Sequence, residues 1–402
     1  MSVTGSPLQV GSTIGDHTLV KRIGEGAMGT VFEGVHSLIG KRVAIKVLKH
    51  GTDEGQLASK RLLEEARAAN AIQHRGIVDI YDVGLLPDGR PYLVMELLLG
   101  RSLHDEVRRA KGGLPLKMVV HVLTGVLEAL AAAHRAGVVH RDLKASNVFL
   151  VEQPSGLPLV KLVDFGIARR AGRSEVLTMP SMTVGSMGFM APEHIGGKPV
   201  AQSDLYAVGC LAWLMLSGKP VFPYGNPGVL VQQHLKEKPP PVSTVRKETT
   251  PELEAVVAWL LEKRVEARPF SAEVALAVLH EAALAVEGLR TVPGGPSFLE
   301  LAKGMDARFR SESGRAAVTD VTPAFVPSQP ARPRATLKGP RAQKPIAATP
   351  PSGRVLNATP RRPVDERAKT NDDDTLPPPE PEPFDSEAGT VIDRQAPDFK
   401  RR

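Results

Sequence analysis

The stretch VVHRDLKASNVFL, Val138 to Leu150, places His140, Arg141, Asp142, Lys144 and Asn147 between apolar flanks. Charged side chains in an apolar run are costly unless they are paired or engage a ligand. Their types suit handling of a phosphoryl group. Asp142 can take a proton from an attacking hydroxyl, Lys144 can neutralise a phosphate, and Asn147 can offer a side-chain carbonyl to a cation. Further on, VKLVDFGIA sets Asp164 at the end of a run that reads as a strand. Mg²⁺ is typically held by one or two protein oxygens plus substrate phosphates. Asn147 and Asp164 meet that need.

Two upstream groups fit the same chemistry. GEGAMGTV holds Gly24, Gly26 and Gly29 between two strand-like runs. A dinucleotide-binding fingerprint must open a helix, and this one does not. A glycine-rich hairpin can instead lay its backbone amides over phosphates, because no side chain holds them off. VAIK puts Lys46 at the end of an alternating strand, where a lysine facing a cleft needs an anionic partner. Glu65 is the candidate. It shares the stripe of Leu62, Ala66 and Ala69 on a helix expected over 57–73, whereas Glu64 is rotated away.

The elements that must hold these groups are legible from periodicity. Residues 17–49 alternate apolar and polar with Gly at the turns, which predicts an antiparallel meander. Residues 76–100 give two more strands around a Pro-Asp-Gly turn. After Gly100 the pattern turns helical. LKMVVHVLTGVLEALAAAHRAG reads as a long helix closed by Gly137. SDLYAVGCLAWLMLSG is apolar all round, hence buried, with Ser203 placed to cap it. PELEAVVAWLLEK and SAEVALAVLHEAALAVEG follow as further helices. The expected fold is α+β and bilobal, a small antiparallel β-rich lobe with one helix, then a larger, mainly helical lobe.

Composition bounds the rest. Beyond about residue 290, Pro-rich and charged stretches such as LPPPEPEPFD lack apolar periodicity, so a disordered tail is expected. The single Cys210 excludes an intramolecular disulfide and fits a reducing compartment. The N-terminus lacks a signal-peptide pattern, and the longest apolar run, Leu205 to Leu216, is short of the ~20 residues a span needs. A cytoplasmic chain without a membrane anchor is expected. The net charge of +7 is modest for 402 residues, so no nucleic-acid partner is expected.

Taken in order, GEGAMGTV, VAIK, EEAR, HRDLKASN, DFG and APE resemble the eukaryotic-type (Hanks-type) protein kinases, with wording similar to bacterial Ser/Thr kinases. The resemblance spans 17–282, with lobes of about 17–96 and 97–282, a 1–16 extension before it, and a helix end and tail over 283–402. It implies ATP and Mg²⁺ as cofactors and Ser/Thr-bearing proteins as substrates. The loop of Gly24, Glu25, Gly26, Ala27, Met28, Gly29 and Thr30 would cover the phosphates. Ile23, Val31 and Ala44 would line the adenine pocket, and Glu96 and Leu97 would form the hinge. Lys46 would bind the α- and β-phosphates and pair with Glu65. Asp142 would act as base, with Lys144 at the γ-phosphate and Asn147 and Asp164 on the metal. Arg141 would receive a phosphate on Thr178, Ser181 or Thr183. Asp204 would brace the catalytic loop, and Glu193 would pair with Arg268. GSMGFMAPE departs from the common GTPxYMAPE, with Ser186 for Thr, Met187 for Pro and Phe189 for Tyr, which touches substrate seating. The tail threonines Thr336, Thr349, Thr359 and Thr390 could, once phosphorylated, recruit a phosphothreonine-reading partner. An ATP-binding scaffold and a small-molecule kinase of related fold stay open as alternatives. The complete activation segment favours protein substrates over the latter.

Overall fold

The computed structural model describes residues 8–26, 29–49, 66, 70, 72–165, 184–288, 304–308 and 310. The N-terminal lobe is an antiparallel sheet. β1 (Thr13–Ile14), β2 (His17–Gly26), β3 (Gly29–His36), β4 (Arg42–Leu48), β5 (Ile80–Leu85) and β6 (Pro91–Glu96) stand in the order β1-β2-β3-β4-β6-β5. Alternation dictates which face is buried. Leu19, Phe32, Val43, Ile45, Val47 and Val94 close into one cluster beneath it. Gly29 pairs with Gly26 across the hairpin, and a Cβ there would lie 2.2 Å from the Val47 carbonyl oxygen. Only glycine lets β3 close onto β4 at that point.

The sheet begins earlier than the sequence pattern suggests. β1 pairs with β2, and Ile14 is buried in the same cluster, so part of the expected 1–16 extension belongs to the lobe. A strand of two residues is too short to show period-two alternation. The helix expected over 57–73 lies largely outside the described residues. Ala66 and Asn70 are helical, and Ala66 is buried.

The second lobe is built on helices. α1 (Leu103–Ala110) follows β7 (Gly100–Ser102), and α2 (Leu116–Arg135) runs through the core against α5 (Ala201–Ser217) and α8 (Ala272–Val286). β8 (Val148–Val151) and β9 (Leu159–Leu162) form an antiparallel pair beside β7. Gly125 on α2 allows close approach to β9, since a Cβ there would lie 2.7 Å from Val160 Cβ. That packing fixes the strand leading into Asp164. Short helices α3 (Val184–Met187) and α4 (Pro192–Ile195) precede α5, and α6 (Pro227–Lys236) and α7 (Pro251–Leu260) complete the lobe. Among the described residues, α2 is the helix long and apolar enough to cross a membrane, but its apolar residues lie in the lobe core.

Two expectations are corrected. Ser203 is the third residue of α5 and not its N-cap, which is Val200, although its hydroxyl joins the cap by accepting from the N-cap amide. The helix starts at Ala201, and the Ser203 hydroxyl accepts from Val200 N at 3.0 Å while donating to Glu193 Oε1 at 2.5 Å. The tail is not uniformly unstructured either. Residues 304–308 and 310 are helical, and Met305 packs on the lobe core. A single short turn gives too few residues for its periodicity to stand out from the Pro-rich background.

Candidate active site

Asp142 and Asn147 lie on the loop between α2 and β8, with Asp164 just past β9. The Asn147 amide donates from Nδ2 to the Asp142 carbonyl oxygen at 2.8 Å and to Asp142 Oδ2 at 3.3 Å. Those bonds orient the amide and present its Oδ1, which accepts a long bond from Ser146 Oγ at 3.4 Å, as the oxygen that could meet a cation. Lys144 Nζ stands 3.5 Å from Asp142 Oδ2 and donates to Ser186 Oγ at 2.8 Å. Lys46 faces Val31 and Leu93 across the sheet and reaches from β4 to Asp164 Oδ1 at 2.6 Å. Burial alone would raise the Asp164 carboxyl, but Lys46, with Lys144 nearby, holds it below its ordinary value. It is therefore ionised at neutral pH.

Two residues here hold backbone conformations that L side chains rarely adopt, Arg141 at φ 64° and Asp164 at φ 55°. Each costs ~1–3 kcal/mol and persists only where its surroundings enforce it. For Arg141 the enforcement comes from Asp204 on α5. Its Oδ1 accepts from Arg141 N at 3.0 Å and its Oδ2 from His140 N at 2.8 Å and from His134 Nε2 at 2.8 Å. Burial pushes the Asp204 carboxyl up, but the bond from His134 and the neighbouring His140 outweigh it, so it stays ionised. His140 donates from Nε2 to Val163 O at 3.1 Å, tying the Asp142 loop to the residue before Asp164. Burial lowers its pKa, so the ring is neutral despite Asp204 and Asp142 nearby.

Glu193 and Arg268 form a bidentate pair, Nη1 to Oε1 at 2.7 Å and Nη2 to Oε2 at 2.8 Å. Arg268 is fully buried and also donates to the carbonyls of Gln202, Glu262 and Lys263. Ile23 and Ala44 are buried, Gly24, Thr30, Val31 and Leu97 are half-buried, and Glu25 and Gly26 are exposed. Ala27, Met28, Glu65, Thr178, Ser181, Thr183 and the four tail threonines lie outside the described residues.

Sequence reasoning missed two members of the site. Lys161 on β9 is buried and donates to Glu96 Oε2 at 2.6 Å and to Ile77 O at 3.2 Å. Its signal was visible as a lysine between Val160 and Leu162. His134, beneath Asp204, was visible as a histidine closing the apolar α2. Among the described residues, no group of three or more His, Cys, Asp or Glu could hold a metal. The oxygens of Asn147 and Asp164 suit a hard cation that keeps phosphate and water ligands.

The protein kinase domain family matches residues 17–279. Serine/threonine-protein kinase Pkn1 of Myxococcus xanthus is 39% identical over 352 residues, covering 82% of this chain and 49% of that protein. Serine/threonine-protein kinase PknF of Mycobacterium tuberculosis is 34% identical over 264 residues, 65% of this chain and 55% of PknF. The chain thus spans about half the length of these curated relatives. The crystal structure of the M. tuberculosis PknI kinase domain aligns with a TM-score of 0.54 and 26% identity, over 69% of this chain and all of that one.

Proposed function

The chain belongs to the protein kinase family, and from that premise we propose that it transfers the γ-phosphoryl group of ATP to Ser or Thr hydroxyls of proteins. The observation that carries this is a pair of bonded sets on neighbouring segments, Asp142 with Asn147 and Lys144, and Asp164 with Lys46 from the other lobe, tied by Val163 N donating to the Asn147 carbonyl at 3.0 Å.

Phosphoryl transfer asks for positioning and charge neutralisation more than covalent help. Asp142 accepts the proton of the attacking hydroxyl. Lys144, steadied by Ser186, neutralises charge on the transferred group. Lys46 holds phosphate oxygens and steadies Asp164. Asn147 Oδ1 and Asp164 would hold Mg²⁺, which supplies charge neutralisation at the phosphates. Ile23, Val31 and Ala44 form the adenine pocket, and Glu96 and Leu97 the hinge. The lysine of DLKASN supports Ser/Thr substrates. Autophosphorylation on Thr178, Ser181 or Thr183 would place about −2 charge against Arg141. Phosphorylated Thr336, Thr349, Thr359 or Thr390 would serve a phosphothreonine-reading partner. The one cysteine, buried with its thiol pushed up to about 12, suits the reducing cytoplasm.

Purified chain is incubated with labelled ATP and Mg²⁺ beside an Asp142→Asn variant, and the labelled residues are mapped. Label on Ser or Thr is expected, with the variant slower by ~10²–10⁴-fold. Equal labelling by both would remove Asp142 from its role. ATP binding without transfer by the wild type would favour a scaffold.

A further inference from the structure

The helical residues 304–308 and 310 are fastened to one place. Asp306, 9% exposed, accepts from Phe270 N through Oδ1 at 2.7 Å and from Arg310 Nε through Oδ2 at 2.6 Å. Arg310 also donates from Nη2 to Arg268 O at 3.3 Å, and its guanidinium stands 5.1 Å from the Phe270 ring centroid. Met305 packs on the lobe core. A buried carboxylate satisfied by a backbone amide and a guanidinium is a built contact, since leaving either partner unmet would be costly.

The backbone so clamped, Arg268 to Phe270, carries the guanidinium that holds Glu193. Glu193 opens α4, directly after the segment in which Ser186 meets Lys144. The family match ends at 279, whereas the likeness to Pkn1 covers 82% of the chain and so runs past the catalytic domain on its C-terminal side.

We propose that residues 304–308 with Arg310 are a latch belonging to the catalytic unit, and that Asp306 and Arg310 are positioning residues for the protein substrate. They act through the Arg268 turn on Glu193 and the segment 184–193. The proposal rests on the kinase reading for its kinetic consequence. The nucleotide side is held by other elements, Lys46 on β4 and Glu96 on β6, so the effect falls on peptide binding.

The test uses the full chain with Asp306→Ala, Arg310→Ala and the conservative Arg310→Lys. Steady-state kinetics with a Ser/Thr peptide are paired with amide hydrogen exchange. Peptide KM is expected to rise about threefold to tenfold in both alanine variants, with KM for ATP and kcat within about twofold. Exchange across 184–195 is expected to quicken, and Arg310→Lys should recover part of both effects. Unchanged peptide KM with unchanged exchange would overturn the proposal. So would an equal worsening of peptide KM, ATP KM and kcat, which marks a general brace of the fold. If the wild type transfers no phosphate, the kinase reading fails on its own, and the exchange comparison still decides whether the latch holds 184–195.

Discussion

At the scale of single residues, the site is a set of charges held by specific neighbours. Asp142 is held through Asn147, Lys144 through Ser186, and Asp164 through Lys46. Lys161 extends this logic to the hinge. A buried ammonium without a partner is untenable, and Glu96 supplies one at 2.6 Å. Since Glu96 ends β6 where the nucleotide edge is expected, the pair fixes hinge backbone rather than chemistry. Lys161→Met should therefore raise KM for ATP about tenfold, ~1.4 kcal/mol, with kcat little changed. Lys161→Arg should restore much of the affinity. Titration of ATP binding against initial rates separates the two constants, and a fall in kcat with ATP KM unchanged would refute the hinge role. The residues proposed to do chemistry were readable in the sequence because few residue types can take a proton, hold a cation or meet a phosphate. Lys161 and His134 went unassigned because their partners, Glu96 and Asp204, lie far along the chain, and only tertiary placement joins them.

At the scale of elements, α5 matters most. It is buried nearly all round, and its Asp204 enforces the strained Arg141 backbone. Its first turn meets Glu193 through Ser203, and Glu193 meets Arg268. The apolar pattern told that α5 is buried, but it could not tell that Ser203 both accepts from its own helix's N-cap amide and donates to Glu193. That depends on where α4 sits. Burial alone would raise the Glu193 carboxyl, but the bonds from Arg268 and Ser203 prevail and hold it below 4.5. As pH falls, the unfolded chain therefore binds this proton first. The contribution of the pair is whole above pH 4.5 and is lost as pH falls through the folded value. Glu193→Gln leaves Arg268 buried without its counter-charge and should cost on the order of 3 kcal/mol at neutral pH. Denaturant unfolding of wild type and variant at neutral pH and near pH 4 should show the gap narrowing in acid. A gap of constant size would mean that the carboxylate charge contributes nothing.

At the scale of the whole molecule, the helical lobe's core reaches into the sheet lobe through Ile80 and Leu93, and the helical lobe is drawn together by a second buried polar group away from the site. Lys263 Nζ donates to Tyr206 Oη at 3.0 Å and to the carbonyls of Gln233 and His234, the last turn of α6, where partial negative charge gathers. Tyr206 in turn lies 3.0 Å from His234 Nδ1. With the ammonium donating to Tyr206, the phenol gives its proton to Nδ1, and the ring is the neutral Nε2–H tautomer. Among the described residues that Nε2 has no hydrogen-bond partner, and Phe222 stands edge-on at 5.0 Å. Burial, reinforced by Lys263, lowers the His234 pKa from 6.5 to about 3. Between those values the unfolded chain carries the proton and the fold does not, so stability falls as pH falls, by at most about 1.4 kcal/mol per pH unit for this group. Lys263, held at about 8, stays charged throughout that window. His140 shifts in the same direction, so the wild-type slope alone does not isolate His234. The comparison with His234→Gln does. From pH 7 to 5.5 the thermal midpoint of the wild type should drop further than that of the variant, with the two curves converging in acid. Parallel curves would show that His234 binds its proton alike in the folded and unfolded chain, and that burial and the chain of donors from Lys263 through Tyr206 do not hold it neutral.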